Sequence, residues 1–403
     1  MKRLYEFVMD EHLDQERQMI FLVGPRQVGK TTASLEVSSP HPKHFYFNCD
    51  IPKDRYLITQ GADEIAKTLD LEKFSPETTV VVFDELHKYR KWKTFLKGFF
   101  DKYSKQVKII VTGSARLDIY KRGGDSMMGR YFLYRLHPLS IAEIVNPKLR
   151  EIEIAPQAQK IDDEEFNALF QFGGFPEPFL RRNRRFYLKW KNLRTQQLFE
   201  QDLRDLTRIH DLGQIQLLAE LLKELVGSLM SLTSLANKIQ VSVDTIRRWL
   251  DTLKSFYYCF TLQPWTKNIT RSLLKEPKVF LWDWSFVEDE GARIENFVAS
   301  HLLKATHYWT DLGFGEYGLY FLRDKEGREV DFLVTKNKKP WFIVEVKKSA
   351  KEGLSKALFH YQNLTKAPHA FQVAFDMPYV QGDCFSHKTP IIVPAKTFLS
   401  QLI

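Results

Sequence analysis

Apolar runs separated by polar, helix-compatible stretches organise the first 150 residues. Met19 to Val23, His44 to Cys49, Thr79 to Phe83, Val107 to Thr112 and Tyr131 to Leu136 read as strands. The unbroken apolar runs Met19 to Val23 and Val80 to Phe83 predict buried strands, as in a parallel sheet covered on both faces. Lys30 to Val37 reads as a helix, ended at Ser38-Ser39-Pro40. The middle of the chain changes period. Asp162 to Leu169 is helical, and Leu235, Ala236, Ile239 and Val241 pack a turn ahead of the stripe Ile246, Leu250 and Leu253. Two short helices result, a helix-turn-helix pattern with Ser242 or Asp244 as cap of the second, and Phe256 to Leu262 follows as a wing strand. The last third reads α-β-β-β-α-β. A helix begins at Arg293 and runs through Leu303, then come strands at Tyr317 to Arg323, Glu329 to Val334 and Trp341 to Lys347. A helix at Leu354 to Leu364 and a strand at Ala370 to Phe375 complete it.

A chain of 403 residues with 44% apolar content supports several real cores and excludes global disorder. We divide it into segments 1–155, 156–210, 211–290 and 291–403. The net charge of +9 favours a polyanionic partner, nucleic acid before membrane. Three cysteines, Cys49, Cys259 and Cys384, lie far apart without metal spacing, which fits a reducing compartment and no disulfide framework. There is no membrane-span-length apolar run and no signal-peptide core at the start, so the expectation is a cytoplasmic chain with no membrane partner.

The strongest chemical signal is the run Gly24, Pro25, Arg26, Gln27, Val28, Gly29, Lys30, Thr31, with Thr32 continuing into the helix. It fits the phosphate-binding loop at every constrained position, between a strand and a helix start. Backbone N–H groups would cradle a polyphosphate, Lys30 would reach the β- and γ-phosphates, and Thr31 would ligate Mg²⁺. Four apolar residues followed by Asp84-Glu85 match the second nucleotide motif. Asp84 would hold Mg²⁺ through its water shell, and Glu85 would orient and polarise the attacking water. The implied cofactors are ATP and Mg²⁺. The strand Val107 to Thr112 ends in Gly113-Ser114; lying between the other two motif strands, it would put Ser114 near the γ-phosphate. Among Arg116, Arg122 and Arg130, Arg130 is favoured as an arginine acting across a subunit boundary.

The segments GPRQVGKTT, VVVFDELHKY, VTGSARL, GRYFLYRLHPLSIAEI and GGFPEP resemble the bacterial and archaeal AAA+-type ATPases that carry a C-terminal domain of formerly unknown function. The resemblance implies a P-loop AAA+ parallel-sheet core, a helical lid, a winged helix, Ser114 at the sensor-1 position, and a homo-oligomeric ring, taken as a hexamer.

Seven basic residues fall between Arg181 and Arg194 with no acid among them, interleaved with Phe186, Tyr187 and Trp190. Either the cations meet phosphates and the rings stack on bases, or the rings pack inward and the charges face solvent. In the helix-turn-helix, Thr245, Arg247 and Arg248 would face a DNA groove. In the last third Asp331, Glu345 and Lys347 stand as D…E-x-K, resembling the PD-(D/E)xK restriction-endonuclease-like fold, with Glu295 as an extra acid from the preceding helix. Glu345 and Lys347, two apart on a strand, share a face. Glu295, Asp331 and Glu345 would hold one divalent cation, and Lys347 would position or deprotonate its water. Asp331 is followed by Phe332, where that fold's pattern has a proline pair.

Three readings follow: an ATP-driven DNA-processing machine with a metal-dependent nuclease domain; a nucleotide-dependent switch or scaffold that binds a protein partner through an inactive nuclease-like domain; and a transcription regulator.

Overall fold

A computed structural model describes residues 1–73, 77–113, 127–148, 151–203, 212–266 and 276–403. The chain forms two compact units. One is Met1–His137 with Pro147–Leu149, the other Pro138–Asn146 with Arg150–Ile403.

The first unit is built on β1 (Met19–Val23), β2 (His44–Asn48), β3 (Thr79–Asp84), β4 (Val107–Gly113) and β5 (Tyr131–Arg135). They form one sheet in the order β2-β3-β4-β1-β5, parallel throughout. Every residue of β1 and β3 is buried, as their unbroken apolar runs require. The helix Trp92–Tyr103 covers one face with Trp92, Phe95, Leu96, Phe99 and Phe100, the stripe of a 3.6-residue period. The helix Leu4–Gln15, not anticipated from the sequence, docks through His12, whose ring lies 2.9 Å from the Tyr134 hydroxyl and 2.8 Å from the Gln18 carbonyl. Burial holds that imidazole below its ordinary pKa, so it is neutral, donating from Nε2 and accepting at Nδ1.

The second unit begins with the helices Asp163–Phe172, Pro176–Arg181 and Arg184–Gln196, which runs into a π-helical stretch, Gln197–Leu203. Then come Leu212–Glu224, Leu232–Ile239 and Val243–Ser255, and the antiparallel pair β6 (Cys259–Leu262) and β7 (Lys278–Leu281). Of the two alternatives, Ser242 is the cap of Val243–Ser255, accepting the Thr245 N–H at 3.1 Å. The helix Glu290–Asp311 is longer than the apolar run indicated. It precedes β8 (Tyr317–Arg323), β9 (Glu329–Lys336), β10 (Lys339–Lys347), β11 (His369–Ala374) and β12 (Ile391–Pro394), in the order β12-β11-β10-β9-β8. β8, β9 and β10 pair antiparallel, while β11 and β12 add in parallel. The helix Lys356–Thr365 makes the crossover from β10 to β11 that a parallel pair needs. β12 and the helix Ala395–Leu402 extend the expected α-β-β-β-α-β order. The three cysteines are free and buried. Among the described residues no helix is long and apolar enough to cross a membrane.

Candidate functional site

The loop after β1 is shaped by its glycines. Gly24 sits at φ +154°, and a Cβ there would lie 2.3 Å from the Leu136 carbonyl oxygen, so no larger residue fits. Gly29, at φ +99°, opens the helix Lys30–Ser38, and the Ala33 N–H closes the first turn on its carbonyl. Lys30 is buried, and its ammonium donates to the Gly24 and Pro25 carbonyls at 3.0 and 2.8 Å. Pro25 and Val28 are buried, Arg26 is partly exposed, and Gln27 and Thr32 face solvent. Arg3 was missed by sequence reading. Buried, it donates to the Val28 and His137 carbonyls, both at 2.6 Å, and so braces the loop against the segment after β5.

Asp84, buried at the tip of β3, is the hub of the site. Its Oδ2 accepts from Thr31 Oγ1 at 2.8 Å and from the Tyr46 hydroxyl at 2.7 Å. Its Oδ1 accepts from the Thr112 hydroxyl and from the Glu85 N–H. Tyr46 comes from β2 and Thr112 from β4, the strands flanking β3. Neither was singled out beforehand; each is a polar residue near the C-terminal end of an apolar strand, a signal visible only once the strand order is known.

Glu85 follows in the left-handed region, φ +53°, a conformation a non-glycine residue adopts under constraint. Its side chain is 18% exposed, with Oε2 3.5 Å from His87 Nε2 and 3.7 Å from Lys88 Nζ. That oxygen is buried and accepts no hydrogen bond. Burial pushes the carboxyl above its ordinary pKa, against the pull of Lys30 and Lys88.

Arg130 directly precedes β5, its carbonyl accepting the Met19 N–H of β1, at the end of the sheet opposite the phosphate loop. Its guanidinium makes a two-pronged pair with Asp101, 2.7 and 2.9 Å. It is therefore remote from its own chain's loop. Ser114, Arg116 and Arg122 lie outside the described residues.

The basic helix divides between two roles. Tyr187 and Trp190 are buried, and the Tyr187 hydroxyl donates to Ser285, so these rings pack inward rather than waiting for bases. Arg194 pairs with buried Asp283 at 2.9 Å and lies 3.5 Å from the Phe175 ring centroid. Arg181 pairs with Glu177 one turn earlier on its own helix, and Arg182 with Glu165 of the helix Asp163–Phe172, acids that lie outside the basic run. Arg184, Arg185 and Lys189 remain exposed, as do Arg247 and Arg248 on Val243–Ser255, where Arg247 pairs with Asp244.

In the C-terminal sheet the expected acids are divided. Glu345 Oε1 lies 3.1 Å from Lys347 Nζ, confirming that the two share a face, and Glu345 Oε2 is buried without a hydrogen bond. Burial and the nearby Asp331 push Glu345 up to about 7. Glu295 and Asp331 instead face the Lys278 ammonium, at 3.2 and 3.8 Å, together with Glu329 at 2.5 Å. Asp331 Oδ2 also accepts the Val346 N–H at 2.8 Å. Burial works against a charged Lys278, but the three carboxylates outweigh it and raise its pKa. Among the described residues, no group of three or more His, Cys, Asp or Glu side chains is arranged to hold a metal ion. Lys278 and Glu329 were not read from the sequence: Lys278 lies in a different element, and Glu329 is one of many strand-edge charges.

Comparison with known proteins agrees with the first unit. Residues 16–145 match the family described as an AAA domain. Residues 163–288 and 290–379 match two domains of unknown function, DUF8612 and DUF4143. Uncharacterized proteins from Mycobacterium bovis and Mycobacterium tuberculosis are each 23% identical over 355 residues, spanning 84% of this chain and 72% of theirs. Among solved structures, AMPPCP-bound DnaA from Aquifex aeolicus is 12% identical with a TM-score of 0.31, covering 62% of this chain and 87% of that one. PCH-2 of C. elegans is 15% identical with a TM-score of 0.26, covering 34% and 41%. Structural likeness that slight carries no argument. The AAA match and the loop, sheet and carboxylate geometry together make residues 16–145 an AAA-type, nucleotide-dependent ATPase domain with a P-loop.

Proposed function

We propose that this protein hydrolyses ATP in a homo-oligomeric ring, taken as a hexamer, and uses the turnover to bind or remodel DNA. The observation that carries the ATPase part is Asp84 held by Thr31 beside the buried, high-pKa Glu85. A hydroxyl and a carboxylate in contact are the hard oxygen donors Mg²⁺ takes, so Thr31 and Asp84 would hold that ion. Bound there, it would neutralise charge on the β- and γ-phosphates. Residues Gly24 to Thr32 would wrap the phosphates, with Lys30 exchanging two loop carbonyls for phosphate oxygens. Glu85 would accept the proton of the attacking water. Ser114 would contact the γ-phosphate, and Arg130 would act on a neighbour's site after leaving Asp101. Phosphate release with Mg²⁺-ATP, lost in Lys30→Ala and Glu85→Gln, tests this; turnover unchanged in both variants would refute it.

The DNA part is supported by exposed Arg184, Arg185, Lys189, Arg247 and Arg248 and by the +9 charge. In this reading 156–210 serves as lid and basic helix, 211–290 as a winged helix, and 291–403 as a nuclease-like fold. DNA-stimulated turnover that falls steeply with salt is the expected result. The inward packing of Tyr187 and Trp190 favours a second reading, a nucleotide-dependent switch that grips a protein partner. Turnover indifferent to DNA at low salt would decide for it.

A further inference from the structure

We infer that Lys278 is the resident cation of the C-terminal acid cluster, so that Glu295, Glu329 and Asp331 hold an ammonium where the nuclease resemblance places a divalent metal. The inference does not depend on the ATPase reading. The Lys278 side chain is 3% exposed and lies 2.5 Å from Glu329, 3.2 Å from Glu295 and 3.8 Å from Asp331. A buried ammonium is tolerated only when paired, and three carboxylates from two elements do the pairing. Glu295 comes from the helix Glu290–Asp311; Glu329 and Asp331, two apart on β9, share its face.

The lysine is not free to swing aside. Its backbone pairs with Leu262 across the β6–β7 hairpin and bridges Leu229 on the other side. Three residues on, Asn296 clasps Leu281 by both its N–H and its carbonyl, each at 2.8 Å, tying β7 to the helix that carries Glu295. The cluster is closed on another side by backbone. A Cβ on Gly227 would lie 2.6 Å from Glu295 Oε2. The carboxylates have other commitments as well. Glu329 also pairs with Arg323 at 2.6 Å, and Asp331 Oδ2 accepts the Val346 N–H. A small divalent ion asks for oxygens at about 2.0–2.1 Å in near-octahedral order. To enter, it would have to displace a cation that is tethered, buried and already neutralised. Glu345, the remaining member of the expected ligand set, is paired with Lys347 instead. The acid cluster therefore acts as an internal ion-pair lock between the hairpin and the sheet, and the unit as folded does not take up a metal to cut a phosphodiester.

The test is Mn²⁺ binding followed by electron paramagnetic resonance on the full-length chain without nucleotide, comparing wild type, Asp331→Asn, Lys278→Ala, and Lys278→Ala with Asp331→Asn. Expected are identical Mn²⁺ titrations for wild type and Asp331→Asn up to about 1 mM, the weak end of oxygen-ligand sites. Lys278→Ala should gain one bound ion, lost again in the double variant. Weaker Mn²⁺ binding in Asp331→Asn than in wild type overturns the inference, as does a folded Lys278→Ala that gains no ion. If Lys278→Ala does not fold, the comparison of wild type with Asp331→Asn decides alone.

Discussion

Thr31 Oγ1 donates a 2.8 Å hydrogen bond to Asp84 Oδ2 across 53 residues of sequence. Thr31 lies in the helix Lys30–Ser38 that follows the loop after β1, and β4 lies between β1 and β3. The two meet because the loop and helix start after β1 and the tip of β3 both lie at the carboxyl edge of the sheet, where parallel α/β sheets open a crevice. Tyr46 and Thr112 complete the hold on Asp84 from β2 and β4, the two strands that flank β3.

Tyr46 is therefore a positioning residue for Asp84. Tyr46→Phe is expected to lower kcat about five-fold, the equivalent of ~1 kcal/mol for one hydrogen bond, while KM for ATP stays within about two-fold. A lower melting temperature with unchanged kcat would reduce the phenol to a packing element.

In the proposed mechanism Glu85 links turnover to pH. Burial raises its pKa, so its base form is lost at a higher pH than that of an exposed glutamate. The acidic limb of kcat should lie above the ordinary carboxylate range, and Glu85→Gln should drop kcat by about 10²–10⁴ and remove that limb. The stability effect has the opposite sense. With the folded pKa raised, ionised Glu85 destabilises the fold above that pKa and has no effect below the unfolded one. Glu85→Gln should thus melt higher than wild type at pH 7 and level with it near pH 4. A limb that stays in place in the glutamine variant would assign it to another group.

Arg194 and Arg184 should separate structure from binding. Arg194→Ala strands Asp283 in the interior and is expected to cost about 3–5 kcal/mol in urea unfolding, as breaking buried pairs does. Arg184→Ala and Arg185→Ala, on the exposed side, should leave stability within about 0.5 kcal/mol while flattening the salt dependence of DNA binding. Equal stability losses in all three would mean that the exposed arginines are structural too.

His301 makes the second unit acid-sensitive. Its Nδ1 donates to the Phe297 carbonyl at 2.7 Å and its Nε2 accepts the Ile141 N–H at 3.1 Å, a neutral imidazole with its pKa depressed by burial to about 3. Because the folded pKa is lowered, this contribution is whole above the unfolded value near 6.5 and shrinks as pH falls below it. Between pH 7 and pH 5 the wild type should lose about 2 kcal/mol more than His301→Gln in denaturant melts. Parallel losses in the two proteins would show that other groups govern acid unfolding.

The candidate nucleotide site could be proposed from the sequence because its signals are local. Gly24 to Thr32 are consecutive, and Asp84-Glu85 end a strand whose apolar run marks it as fully buried. The helix-turn-helix period and the order of C-terminal elements were readable for the same reason: backbone periodicity is written along the chain. What stayed hidden was every partner chosen by the third dimension. Tyr46 and Thr112 on Asp84, Arg3 under the phosphate loop, Asp101 on Arg130 and Asp283 on Arg194 all lie far from their partners in sequence.

The sequence by itself determined the glycine-shaped loop between β1 and its helix and the burial of β1 and β3, since a loop motif and an apolar run carry their own geometry. Only the tertiary structure decided what neutralises each charge. For Glu295 and Asp331 that is Lys278, delivered by a hairpin strand outside their own elements. An ion pair depends on distance in space and on exclusion of water, and neither is encoded in the spacing of residues along the chain.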